Sequence, residues 1–149
     1  MDLTKLPNPH LPIEEQPLET LFAMLIFGEA RGEEWAGKVG VGWTVQNRAT
    51  HPRWWGKDLR GVILKPMQFS CLNANDPNRH KLLSPLAYDS PETWEACLTI
   101  AQGIVAGGIP DNTDTSDHYI DSSIDPPKWA DPKKLTVIIG KLSFYRLEI

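Results

Sequence analysis

The chain has little cysteine, and what it has is not arranged for metal. Cys71 and Cys97 are the only two. They have no ligand spacing and no histidine close in sequence, which argues against a zinc site and leaves two buried thiols as the expectation. A single disulfide between them stays open. Basic charge is scarce as well. The net charge is −4 and there is no long basic run, so a nucleic-acid partner is not expected. No apolar run is long enough to cross a bilayer, since Leu21–Phe27 is far too short and follows acidic residues. The chain is therefore not expected to be membrane-embedded. Residues 1–16 lack the basic region and apolar run of a secretory leader, so the protein is expected to be made and left in the cytoplasm. Also absent are a Gly-x-Ser-x-Gly elbow, a phosphate-cradling glycine loop and a His-Glu-x-x-His helix, which removes the commonest serine-hydrolase, nucleotide and zinc-protease chemistries. There is no internal repeat and no low-complexity block.

What is present suffices for one folded unit. The chain has 149 residues, 41% hydrophobic and 23% charged, enough for a domain with its own core. Residues 1–16, with Pro7, Pro9 and Pro12, read as an extended lead-in, and residues 17–149 as a single domain. A helix is predicted from Pro17 to about Ala30. Pro17 suits a first turn, and Glu19 favours the positive end of the helix dipole. A second helix is predicted over Glu34 to Ala49. Its Gly37, Gly40 and Gly42 each weaken it by roughly 1 kcal/mol relative to Ala, which points to another backbone packed close; a partial strand through VGVGWTV stays open. Asp58 caps a short helix that runs to Leu64 and ends at Pro66. Met67–Phe69 is a brief apolar piece, and Asn73 to Pro85 is a polar loop. Ser90 and Pro91 mark a further helix start, with Trp94, Cys97, Leu98, Ala101 and Val105 as its buried stripe and Gly107 and Gly108 as its stop. Asp117–Ile120 and Leu135–Ile139 read as strands, the second turning at 140–142 to return through Ser143–Leu147. Helices first and a small antiparallel sheet late define an α+β class.

The stretch Leu18 to Glu33, LETLFAMLIFGEARGE, carries the strongest chemical signal. Leu21, Phe22, Leu25 and Ile26 fall at the spacing of an amphipathic helix. Glu29 lies one heptad beyond Phe22. If the helix persists, Glu29 rides the apolar stripe, where burial disfavours its charged form and raises its pKa, as a general acid near neutral pH requires. If the chain turns at Gly28, Glu29 is released to solvent instead. A continuing helix would also bring Glu33 near Glu29, and glycosidases commonly use two carboxylates, although most glutamate pairs at helix ends are solvated. Gln68, Phe69 and Ser70 place an amide, a ring and a hydroxyl in a row. That suits sugar hydroxyls; equally, Phe69 could be core and its neighbours loop caps. In Asp117-His118-Tyr119, strand alternation puts Asp117 and Tyr119 on one face and His118 on the other. A lone histidine of this kind is more often structural than a base. The six tryptophans include candidates for sugar stacking, though most belong in a core.

Taken in order, IFGEARGEEWAGKVGVGWTVQNRA, GVILKPMQFS, DHY, PPKWA and IIGKLSFY resemble the cell wall hydrolase family that includes spore-cortex-lytic enzymes and many phage endolysins. The resemblance covers roughly residues 20–146. It implies a lysozyme-like fold akin to lytic transglycosylases, mainly helical, and cleavage of the MurNAc–GlcNAc bond of a peptidoglycan glycan strand. It implies Glu29 as the catalytic glutamate, with Gln68, Phe69, Ser70, His118 and Tyr119 along the glycan cleft. Glu33 is left as a supporting group. No metal or cofactor is expected. One departure stands out: the family often has histidine where this chain has Leu142. The expected reaction is lytic transglycosylation giving 1,6-anhydro ends, with hydrolysis by a muramidase as the alternative. A peptidoglycan-binding module without catalysis, motivated by Leu142, is a second class, and an amidase or peptidase a third. An endolysin role would depend on a separate membrane-permeabilising protein to reach the wall, and a monomer is the expectation.

Overall fold

The computed structural model describes residues 5–66 and 68–149; residues 1–4 of the lead-in and Met67 of the predicted apolar piece lie outside them. Among the described residues four α-helices come first: α1 (Leu18–Ala30), α2 (Trp35–Thr50), α3 (Leu59–Leu64) and α4 (Pro91–Val105). Three strands follow: β1 (His118–Asp121), β2 (Leu135–Ile139) and β3 (Leu142–Tyr145). This is the α+β order expected, and both α1 and β2 match their predicted spans closely.

The centre of the molecule is α1, against which α2, α3 and α4 pack. Every residue from Thr20 to Phe27 is buried. The expected apolar stripe is therefore corrected: LFAMLIF is a continuous apolar run, and a helix hydrophobic on all sides belongs inside a core. Trp94 and Ile100 of α4, Val45 of α2 and Ile63 of α3 fill the space around it. Burying side chains of this size contributes roughly 1.5–3 kcal/mol each. The caps read from sequence form as expected. Asp58 Oδ1 accepts from the Gly61 amide at 2.8 Å, and Ser90 Oγ accepts from the Thr93 amide at 3.3 Å. Val105 departs from its predicted buried place and is exposed, because it lies on the last turn before Gly107, at φ +77°, ends the helix.

Two loop readings are corrected. The lead-in is not simply extended. Ile13–Glu15 forms a 3-10 turn, Ile13 enters the core, and the buried Gln16 amide donates to the carbonyls of Asn8 and Leu11. The stretch from 73 to 85 also carries 3-10 turns, Arg79–Leu83 and the start of Pro85–Ala87, and sends Leu82 inward.

The sheet is antiparallel in the order β1-β3-β2, so the wholly buried β3 is its central strand. Tyr119 pairs with Phe144 across β1 and β3. Phe144, Leu142, Ala30 and Val41 form a second, small core, with Tyr119, Val137 and Ile139 packed on it. Gly40 of the fully helical α2 makes this docking possible, while Gly37 and Gly42 admit Glu33 and Ile104, so it is side chains that approach, not a backbone. A Cβ at Gly40 would lie 2.5 Å from Phe144 Cζ, which no real contact allows. The sheet thus settles directly on the beginning of α2, next to the end of α1 where Glu29 sits. Both cysteines are buried and free.

Candidate active site

Glu29 occupies the last turn of α1, where the helix leaves the core. Its carboxylate is only partly exposed. Burial raises its pKa, hydrogen bonds from Tyr119 and Cys71 pull it back, and the negative charge of Asp76 adds to the rise. The carboxylate also stands at the negative end of the α1 dipole, which works in the same direction as burial.

Two elements distant in sequence supply its partners. The Tyr119 hydroxyl, on β1, donates to Glu29 Oε1 at 2.7 Å. Burial and the Glu29 charge hold the Tyr119 phenol well above its ordinary pKa, so it stays protonated and remains a donor. The Cys71 thiol, in the 3-10 turn Ser70–Leu72, acts on the same carboxylate, lowering its pKa, and is kept protonated by burial and by Glu29. Gly28 admits it: a Cβ there would stand 2.7 Å from Cys71 Sγ. Glu29 is thereby fixed in position by the Tyr119 hydroxyl, with the Cys71 thiol acting on it, and burial favours its neutral form.

Arg48, near the end of α2, ties β1 to the helices. It is 8% exposed, and its Nε donates to the Asp117 carbonyl at 2.7 Å. The guanidinium faces the rings of Trp55 at 5.3 Å and of Trp54 and Phe69 at 5.8 Å each, and interacts electrostatically with Tyr119. Beside it, Asn47 donates to the Ser116 carbonyl at 3.0 Å. The Asp117 side chain then gathers the end of the chain. It accepts from the His118 ring at 2.8 Å and from the amides of Leu147, Glu148 and Ile149. Burial works against ionisation here, but these donors outweigh it and hold the carboxyl at about 2.

The residues singled out from sequence part company. Glu29 and Tyr119 meet. Phe69 is buried under Arg48, and Ser70 is exposed at the start of the turn that carries Cys71. Gln68 is a tether: its Nε2 donates to the carbonyls of Trp55 at 3.2 Å and Val62 at 2.9 Å, and its Oε1 is enclosed. Glu33 loses the helical link to Glu29, because α1 stops at Ala30. Its carboxylate instead lies beside the Gly140 turn, 3.8 Å from where a Cβ would stand, and its carbonyl accepts from Lys38. His118 lies away from Tyr119, between Trp55 and Trp129 at ring distances of 6.4 and 5.0 Å. Asp117 precedes the strand, and its carboxylate turns to the His118 ring instead of sharing a face with Tyr119. Leu142 packs in the small core, so that departure from the family falls on packing. Cys71, Arg48 and Asp76 were not singled out for this site. The first follows QFS directly and the second closes the QNR run, so each had a neighbouring signal; Asp76 had none.

Among the described residues, no group of three or more His, Cys, Asp or Glu could hold a metal ion, and no helix is long and apolar enough to cross a membrane. A half-buried carboxylic acid at the exit of a core helix, roofed by a small late sheet, defines a lysozyme-like α+β protein. The family model for Cell Wall Hydrolase matches residues 32–145, and the chain belongs to that family. The matched span begins just after Glu29. The fold is similar to the crystal structure of the catalytic domain of the Bacillus cereus SleB protein, with 23% identity, a TM-score of 0.60, and 96% of this chain and 97% of that chain covered. It is likewise similar to the catalytic domain of the germination-specific lytic transglycosylase SleB from Bacillus anthracis, with 22% identity, a TM-score of 0.60, and 95% and 100% covered. No curated protein matches the chain.

Proposed function

We propose that the protein cleaves the MurNAc–GlcNAc bond of peptidoglycan as a lytic transglycosylase, with Glu29 as acid and then base. The observation that carries this is the setting of Glu29: burial raises its pKa and the Tyr119 hydroxyl holds its carboxylate at 2.7 Å. A protonated Glu29 gives its proton to the glycosidic oxygen as the C1–O bond breaks, freeing the 4-hydroxyl of the departing sugar. The resulting carboxylate takes the proton of the MurNAc 6-hydroxyl, and that oxygen bonds to C1. The product is a 1,6-anhydro ring, no water is consumed, and Glu29 ends protonated again. One carboxyl group serves both steps because the substrate supplies the nucleophile. Family membership and the fold shared with a lytic transglycosylase domain support the reading.

Hydrolysis is favoured by one observation: Asp76 lies close enough to Glu29 to act on its charge, as a second carboxylate would. Digestion of peptidoglycan in ¹⁸O-water separates the two. Transglycosylation leaves the new saccharide ends unlabelled, whereas hydrolysis places one heavy oxygen on each new reducing end. The reading extends to an endolysin role, in which a separate membrane-permeabilising protein gives access to the wall. Lysis of cells producing the protein would then require co-expression of such a partner.

A further inference from the structure

Trp54 is an exposed tryptophan that is held still. It is 55% exposed, the most of any tryptophan in the chain. Its Nε1 donates to both carboxylate oxygens of Glu148, each at 3.1 Å. Its ring lies over the Arg48 guanidinium at 5.8 Å and against Trp55 at 5.5 Å. Glu148 is fixed in turn, since its amide donates to Asp117 Oδ2 at 2.7 Å. A flat apolar plate is thus presented to solvent in one pose, with an anionic acceptor at its rim.

That pairing fits a sugar. One face of a hexosamine ring is a patch of C–H bonds that suits an aromatic face, and its edge carries hydroxyl and amide donors that suit a carboxylate with free lone pairs. The plate is also continuous with the acid. Arg48 faces Trp54 on one side and Phe69 on another, and interacts with Tyr119, whose hydroxyl rests on Glu29. We propose that Trp54 and Glu148 form a stacking subsite for an N-acetylhexosamine ring of the glycan strand, beyond the two sugars joined by the bond that Glu29 breaks. This rests on the reading of the protein as a glycan-cleaving enzyme. The tail beyond β3, pinned by Asp117, then has a binding purpose: it locks the tryptophan in its stacking pose.

The test uses the Glu29→Gln protein, which keeps the acceptor for Tyr119. It is titrated with N-acetylglucosamine oligomers from dimer to hexamer by calorimetry, with and without Trp54→Ala. Affinity for the hexamer should fall about tenfold on Trp54→Ala, the scale of one aromatic stacking contact. Dimer affinity should be unchanged, and Trp54→Phe should keep most of the hexamer affinity. Equal hexamer affinities with and without Trp54 would overturn the subsite. So would a failure of the Glu29→Gln protein to bind any oligomer while the wild type still clears sacculi. If the wild type leaves sacculi uncut, the reading beneath the proposal fails and the subsite falls with it.

Discussion

The Tyr119 hydroxyl donates to Glu29 Oε1 across 2.7 Å, joining a late strand to the end of the central helix. The bond restrains the acid geometrically and lowers a pKa that burial has raised. Tyr119→Phe removes it without removing the ring. We expect kcat/KM to fall by about ten- to a hundredfold, the worth of one hydrogen bond to a charged group. On the proposed mechanism Glu29 must be protonated to act, and loss of the donor raises its pKa further. The basic limb of the pH–rate profile should therefore move to higher pH, and Cys71→Ala should move it the same way. A profile that stays fixed in both variants would mean that neither donor tunes Glu29.

Glu29 should cost the fold stability at neutral pH. Its folded pKa lies above the ordinary value of 4.5, so the folded protein holds a proton that the unfolded chain has lost, and stability falls as pH rises through that window. Glu29→Gln should melt at a higher temperature than the wild type at pH 7, with the difference shrinking toward pH 4. Thermal unfolding at a series of pH values checks this.

Asp117 has the opposite sign. Its pKa is held near 2, below the ordinary 3.8. Its contribution is fully present above 3.8 and is lost as pH falls toward 2. Asp117→Asn should cost about 2–3 kcal/mol at pH 7, since the charge that receives three backbone amides is gone, and the cost should shrink as pH falls toward 2. Urea unfolding at pH 7 and pH 2.5 measures both.

Gly40→Ala tests the seat of the sheet. In an open helix the change would gain about 1 kcal/mol. Here the new methyl meets the Phe144 ring at 2.5 Å, and overpacking of this kind costs about 1–3 kcal/mol. The clash should win. Activity should fall further than stability does, because the ring that must retreat is paired with Tyr119 on β1.

The sequence made the elements legible where local chemistry decides them. Pro17, Asp58 and Ser90 marked helix starts, and the β-branched run Leu135–Ile139 marked a strand to the residue. The raised pKa of Glu29 was legible for a partly mistaken reason. There is no amphipathic stripe for it to ride; it stands where a fully buried helix emerges. What stayed hidden depends on contacts between distant segments. Gln68 looked like a sugar ligand because its row of polar groups fits one, yet its amide is spent on the carbonyls of Trp55 and Val62. Glu33 does not share a helix with Glu29, because α1 stops at Ala30 and the chain turns before α2. Cys71 and Arg48 each sit next to a motif, but only folding brings one to Glu29 and the other between Tyr119 and Trp54. The clamp of Trp54 by Glu148 joins two segments that no periodicity relates.

The role of Glu29 is tested most directly by mass spectrometry of the soluble products from purified peptidoglycan, with wild type and Glu29→Gln side by side and both shown to be folded by circular dichroism. The expected result is 1,6-anhydromuramyl fragments from the wild type and none from Glu29→Gln. Anhydro fragments released by Glu29→Gln at the wild-type rate would contradict the assignment of the acid. Reducing ends alone from the wild type would contradict transglycosylation.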